Sequence, residues 1–206
     1  MASTRIPLFP LEVVLFPGEM LPLHIFEPRY KEMIRECEEK KQPFGVVLAE
    51  EDGIAEVACT AELLQVAKTY DNGEMDIITV GRRIFRIVEV IEERSFYEAQ
   101  VEFIADKAPP HQVPSTALLQ LFEKCYRAAY QNQPDRAALA KAPVVSYHIA
   151  GALPLELSYK QKLLEMRDEE ERRHSLELNL ARWLEQLEIS SRARRLSGGN
   201  GHPHYN

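Results

Sequence analysis

The residue types in this 206-residue chain that could do covalent or metal chemistry are three cysteines, six histidines and a few serines with ionisable neighbours. Cys37, Cys59 and Cys125 are odd in number and far apart, and no Cys-x-x-Cys pair, Cys/His zinc spacing or His-Glu-x-x-His run accompanies them. Zinc needs such spacings to close its coordination shell, so no metal ligand is assigned; the thiols are expected to be free and buried in a reducing compartment. A phosphate cradle requires Gly-Lys before Ser or Thr so that backbone amides and the lysine grip the phosphates. Gly-Lys occurs nowhere, and the Gly-x-Ser-x-Gly elbow that exposes a nucleophilic serine is also absent. Ser146, Ser158 and Ser175 have His, Lys or Asp close in sequence, which chance supplies in helical segments. His24 and His148 sit among apolar residues and are expected to be packed or capping; His202 and His204 lie in a Gly-rich end. The chain is therefore expected to have no catalytic residue, no metal ligand and no cofactor, and not to be an enzyme.

Function must then rest on surfaces, and composition narrows which. The formal net charge is −7, with 45% hydrophobic and 28% charged residues, an ordinary globular balance that argues against a basic nucleic-acid coat. The charge is uneven: residues 1–112 carry 12 basic and 21 acidic side chains, a net of −9, and residues 113–206 carry 13 and 11, a net of +2. Pro109, Pro110 and Pro114 mark the same point, where neither helix nor central strand continues. Five prolines in the first 28 residues and no basic-then-apolar opening argue against a signal peptide. No apolar run approaches the ~18 residues that span a bilayer, so a cytoplasmic location without membrane contact is expected.

The first lobe reads as strands. Ile6–Phe9, Val13–Phe16 and Met20–Phe26 are short extended runs, with a turn at Pro17-Gly18. Pro28 suits the first position of a helix on which Tyr30, Met33, Ile34 and Cys37 recur at helical spacing. Further strands are predicted at Phe44–Leu48, Ile54–Thr60, Leu63–Tyr70, Met75–Val80, Arg82–Val90 and Tyr97–Ile104, with a hairpin at Asp71-Asn72-Gly73 and a bulge or bend at Gly81. Many short strands and one helix suggest a partly closed barrel. The second lobe is helical. Ser115 caps a first helix, Asp135–Lys141 and Pro143–Ala152 are shorter ones, and Ser158/Gln161 and Asp168/Glu171 have capping-box spacing ahead of two more. The organisation expected is a β lobe at 1–112, a helical lobe at 113–195 and a flexible tail at 196–206.

The run from Ile6 to Tyr30, Ile-Pro-Leu-Phe-Pro-Leu-Glu-Val-Val-Leu-Phe-Pro-Gly-Glu-Met-Leu-Pro-Leu-His-Ile-Phe-Glu-Pro-Arg-Tyr, resembles the opening of the Lon protease N-terminal domain family. The likeness continues at Phe44–Val47, at Gly81–Ile87, and at Lys160–Glu165 with Arg172 or Arg173 following. The resemblance implies an α+β fold, a PUA-like β pseudobarrel with one inserted helix followed by a C-terminal α-helical bundle. It also implies substrate binding without the ATPase and Ser-Lys protease modules, hence a stand-alone, non-catalytic polypeptide-binding module, a candidate quality-control adaptor. The partners implied are unfolded or extended polypeptide segments and a separate protease or chaperone. An unfolded segment offers apolar side chains, so the receptor needs an apolar surface with a polar rim. The candidate client-binding residues are Phe9, Phe16, Met20, Phe26, Tyr30, Tyr70, Phe96 and Tyr97, each weighed against a place in the barrel core.

Two alternatives compete: a peptidase acting alone, for which no catalytic set is found, and an RNA-binding PUA-like domain reading through Arg82, Arg83 and Arg86. The −9 of the β lobe opposes the second, and those arginines are expected on a solvated face with carboxylate partners. The Asp168–Arg173 run is expected to be a helix start with mixed ion pairs of little individual worth.

Overall fold

The computed structural model describes residues 4–107 and 114–197. Strand β1 (Thr4–Leu11) leads to β2 (Met20–Ile25), helix α1 (Pro28–Lys40), β3 (Phe44–Glu50), β4 (Gly53–Ile54), β5 (Val57–Thr69), β6 (Met75–Ile91) and β7 (Glu98–Phe103). Helices α2 (Thr116–Tyr130), α3 (Arg136–Lys141), α4 (Val145–Ala152), α5 (Leu157–Glu165) and α6 (Glu169–Ser197) follow. The proposed joint at 109–114 lies largely outside the described residues, as does the end from 198.

The barrel closes because β1 changes partner along its length. Its first half pairs antiparallel with β7 (Thr4 opposite Val101) and its second half parallel with β3 (Leu8 opposite Gly45), so the path β1-β7-β6-β5-β3 returns to its start. The strands predicted separately at 54–60 and 63–70, and at 75–80 and 82–90, are in fact two long ones, β5 and β6, bent by register shifts at Cys59/Ala61, Leu63/Gln65 and Val66/Lys68. A bulge adds a residue and turns the strand without ending it, which a sequence punctuated by single irregularities does not reveal. The N-terminal half of β6 and the C-terminal half of β5 thus leave the barrel and form a three-stranded wing with β2. At the bend, Gly81 donates to the Glu19 carbonyl (2.9 Å) and accepts from the Gly18 N–H (2.8 Å).

Val13–Phe16 is not a strand. Val14, Leu15 and Phe16 are buried in an unpaired loop, so their apolarity serves the core and not a ladder. The hairpin turn forms as its residues dictate, with Gly73 at φ +77° donating to the Tyr70 carbonyl (2.8 Å).

Helix α1 begins on Pro28 and buries Tyr30, Met33, Ile34 and Cys37, the stripe its spacing predicts. Arg94, in the β6–β7 connection, grips its outer face through Glu36 (2.7 Å) and Glu32 (3.1 Å), and Lys40 adds a bond to Glu36 (2.6 Å). Arg94 first, then Lys40, holds the Glu36 carboxyl down at about 2. A carboxylate lowered on folding stabilises fully above its ordinary value of 4.5 and loses that contribution as pH falls toward about 2. Urea stability measured from pH 5 to pH 3 is expected to fall more steeply in the native chain than in Glu36→Gln, in which this titration is gone.

The helices dock on the barrel through a shared core: Phe16, Leu48, Val57 and Ile84 from the strand side meet Leu118, Phe122, Tyr147, Ile149, Leu163, Leu176 and Leu180. Each fully buried Leu, Ile or Phe here contributes about 1.5–3 kcal/mol. Ser115 caps α2 as expected, accepting from the Leu118 N–H (3.0 Å), and the Asp168 carboxylate accepts from the N–H groups of Glu170 (2.9 Å) and Glu171 (3.3 Å). The Ser158/Gln161 box does not form. Helix α5 starts at Leu157 without a side-chain cap, and the buried Gln161 amide instead donates to the Val57 carbonyl of β5 (2.8 Å).

The Asp168–Arg173 run also departs from expectation. Helical spacing turns Glu169 and Arg172 inward together, and Arg172 is 0% exposed. Its guanidinium holds Asp106, Glu169, the Ser146 hydroxyl (2.9 Å) and the Met166 carbonyl (2.7 Å), and lies 4.2 Å over the Tyr147 ring. Asp106 follows β7, so this one cation joins the strand-bearing part to α4 and α6. All three cysteines are buried and free; burial pushes the thiols of Cys37 and Cys59 up to about 12 and that of Cys125 to about 11, which removes their nucleophilic form.

Candidate functional site

Among the described residues no group of three or more His, Cys, Asp or Glu converges on a metal-sized point, and no helix is long and apolar enough to cross a membrane. Ser146 is buried, its hydroxyl donating to Glu169 and accepting from Arg172, and the Ser175 hydroxyl bonds that of Tyr159 (2.9 Å). Neither geometry presents a nucleophile to a substrate.

Of the eight aromatic and methionine candidates, Phe9, Phe16, Tyr30 and Phe96 are core side chains: Phe9 packs on Tyr30 (4.1 Å between ring centroids) and Phe16 stacks on Tyr147 (5.4 Å). Met20 (59% exposed), Phe26 (58%) and Tyr97 face solvent, and Tyr70 is half-buried. Phe26 and Tyr70 meet across His24 at one end of the wing, and Met20 lies at the other end of β2. Along β2 the exposed residues alternate: Met20, Pro22 and His24 face out while Leu21, Leu23 and Ile25 turn in. Register places Pro22 opposite Ile78 and His24 opposite Asp76 on β6.

At the far end of this face, His24 stacks on Phe26 (6.1 Å) and meets Tyr70 edge-on (5.8 Å), and Lys68 lies 4.1 Å over the Tyr70 ring. The Tyr70 hydroxyl donates to Asp76 (2.8 Å), whose other oxygen is 2.7 Å from His24 Nδ1; Glu74 is 3.5 Å from Nε2. His24 first, then Tyr70, holds the Asp76 carboxyl below its usual range. His24 is therefore not the packed histidine its apolar neighbours suggested; it is exposed on an edge strand and hydrogen-bonded to Asp76. The signal for it was available in the β2 alternation, since a period of two puts His24 on the Met20 face. No ring contact joins Tyr97 to this group among the described residues.

Beside the wing, between the Pro17–Met20 turn and helices α3 and α4, is a hollow of about 490 Å³ whose apolar wall is made by Pro17, Met20, Ala138, Pro143 and Val144. Glu19 lines it, its carboxylate accepting from the Phe16 N–H (2.9 Å), and burial pushes its carboxyl up. His148, packed on Phe122 (6.5 Å), completes the rim, and burial lowers its imidazole. A second hollow of about 360 Å³ shares Pro17, Val144 and Tyr147 with it and reaches Arg82, Arg83 and Phe103. Those last three also line a third, of about 490 Å³, between the α1 C-terminus and β5. An exposed apolar face continuing into a chain of hollows suits an extended ligand better than a small enclosed one.

The family model described as the ATP-dependent protease La (LON) substrate-binding domain matches residues 5–180. The chain belongs to that family. Lon protease 2 of Myxococcus xanthus is 28% identical over 179 residues, which are 79% of this chain and 22% of that protein. A Lon protease of Anaeromyxobacter dehalogenans is 27% identical over 176 residues, 78% of this chain and 21% of the relative. The chain thus spans about a fifth of the length of these Lon relatives. Among solved structures, a Lon N-terminal domain protein from Xanthomonas campestris superposes with a TM-score of 0.65 at 25% identity, covering 84% of this chain and 96% of the other. The N-terminal domain of a Mycobacterium avium complex Lon protease gives a TM-score of 0.60 at 19% identity, a likeness of fold alone. The α+β architecture expected from the Lon resemblance, a barrel with one inserted helix and a helical bundle behind it, is the one observed.

Proposed function

We propose that this chain is a non-catalytic module that binds extended or unfolded polypeptide segments, and that it presents them to a protease or chaperone in the cytoplasm. The observation that carries the proposal is the family match over residues 5–180, a substrate-binding domain. The exposed Met20, Pro22 and Phe26 on one face of β2, with half-buried Tyr70 beside them, support it, because a folded single chain rarely exposes several large apolar side chains on one face without use. Pro22 cannot donate a hydrogen bond from the outer edge of β2, so side-chain contact and not strand addition supplies most of the binding. Tyr97 belongs to a separate exposed spot and is a secondary contact.

A permanently unfolded, carboxymethylated model protein, labelled and titrated by fluorescence anisotropy, tests this. Binding is expected to weaken at least about tenfold in Met20→Ser/Phe26→Ser, corresponding to loss of two apolar contacts of roughly 1 kcal/mol or more each. Both positions are exposed, so the melting temperature should stay within a few degrees. An unfolded client that the native chain ignores would remove the proposal.

A further inference from the structure

The three hollows carry charges that the molecule leaves unequally satisfied. Of the carboxylates lining them, Glu62 is paired with Arg82 (2.7 Å), Asp106 is engaged by Arg172, and Glu19 accepts from the Phe16 backbone; exposed Glu38 stands at one rim. Of the cations lining them, Arg82 alone has a carboxylate partner among the described residues. Among the described residues Lys41 and Lys141 form no ion pair, and Arg83 lies 3.6 Å over the Phe103 ring with no carboxylate on it. Three unpaired cations stand against two acids that form no ion pair among the described residues, Glu19 and Glu38, and the unpaired Arg83 lies where two of the hollows meet.

We infer that the groove takes an extended polypeptide segment in which a carboxylate follows an apolar anchor by about three residues, so that acidic, apolar segments are its preferred clients. The inference rests on the polypeptide-binding function proposed above and names its substrate class. Spacing follows from the register: Met20 lies opposite Val80, and Arg83 is three residues further along β6, at most about 10 Å at 3.3 Å per residue. An anchor seated on Met20, Pro17 and Val144 therefore puts the next side chains over Arg83. A guanidinium stacked on a ring keeps its donors free for a bidentate carboxylate, and the ring wall lowers the local dielectric. The negative charge elsewhere on the chain does not cancel this, because at 0.1 M salt exposed charges are screened beyond about 10 Å. Three scattered cations flanked by Glu38 and Glu62 suit one or two carboxylates better than a phosphate backbone, which draws on a longer basic track.

The test uses the full chain and three labelled nine-residue peptides with the same leucine and phenylalanine anchors, followed by glutamates, glutamines or lysines. Anisotropy titrations at 0.1 M salt are expected to rank glutamate over glutamine over lysine, with about tenfold between the first two. Arg83→Gln should cost the glutamate peptide about that factor, and Arg83→Lys should retain most of it; unchanged melting temperatures show that both variants fold. Equal binding of all three peptides would overturn the charge preference while leaving the polypeptide-binding proposal standing. Failure of every peptide, with the unfolded protein also unbound, would remove both. Tighter binding of a single-stranded RNA of matched length, lost in Arg83→Gln, would overturn the inference in favour of nucleic acid.

Discussion

Replacing Arg172 by methionine is expected to destabilise the fold by about 3 kcal/mol, toward the lower end for a broken buried pair, because Asp106 loses its cation while Glu169 keeps Arg173 (2.8 Å). Glu169 has almost no solvent contact and Asp106 little, so neither can recover in water what the guanidinium provides. The Ser146 hydroxyl and Met166 carbonyl lose a donor as well. Because Asp106 sits at the end of the strands while Ser146 and Glu169 belong to helices, the loss should loosen the docking of the two parts before it melts either. Urea denaturation followed by Trp183 fluorescence and by far-ultraviolet dichroism measures both. Two controls isolate burial as the cause. Arg82→Ala removes a comparably close but exposed pair with Glu62 (2.7 Å) and should cost under about 1 kcal/mol. Arg172→Met combined with Glu169→Met and Asp106→Leu removes the orphaned acids too and should regain much of the loss.

Gly81→Ala is the second large effect. The added Cβ would stand 2.1 Å from the Phe16 carbonyl oxygen and 3.1 Å from the Leu15 side chain. A backbone atom cannot rotate away as a side chain does, so either β6 or the Val13–Phe16 loop must shift, and the bonds of Gly81 to Gly18 and Glu19 go with it. The expected cost is at the upper end of overpacking, about 3 kcal/mol or more, read as a lowered urea midpoint. Gly151→Ala is the informative contrast, since the atoms nearest its Cβ belong to the Glu19 carboxylate, from 2.9 Å, and a side chain can shift at the cost of its bond to the Phe16 N–H. Gly151 lines the hollow beside the Pro17–Met20 turn, whereas Gly81 sets how the wing leaves the barrel.

Periodicity made much of this fold legible. The α1 stripe of Tyr30, Met33, Ile34 and Cys37, the Ser115 and Asp168 caps and the Gly73 turn are local consequences of residue type, and each formed as expected. What escaped was non-local. Nothing near Gln161 announces that its amide will find the Val57 carbonyl 104 residues away, and nothing near Arg172 announces Asp106. A bulge and a turn leave similar single irregularities in sequence, so β5 and β6 each look like two strands. The candidate site was half legible for the same reason. An aromatic on an edge strand and one in a core look alike until the partner strand is known, so Phe9, Phe16, Tyr30 and Phe96 could not be separated from Met20, Phe26 and Tyr70. Pairing of β2 with β6 alone, which leaves its other edge and outer face without a strand among the described residues, separates them.

Where a bound client touches the chain is the most direct test of the polypeptide-binding role. Amide hydrogen exchange of the full chain, measured with and without a saturating unfolded model protein, reports this residue by residue. Slower exchange concentrated at Met20–Phe26 and in the turn at Tyr70–Glu74, with α6 unchanged, is the predicted result. Saturable binding that protects α6 or the β7 end while leaving β2 unaltered would contradict it.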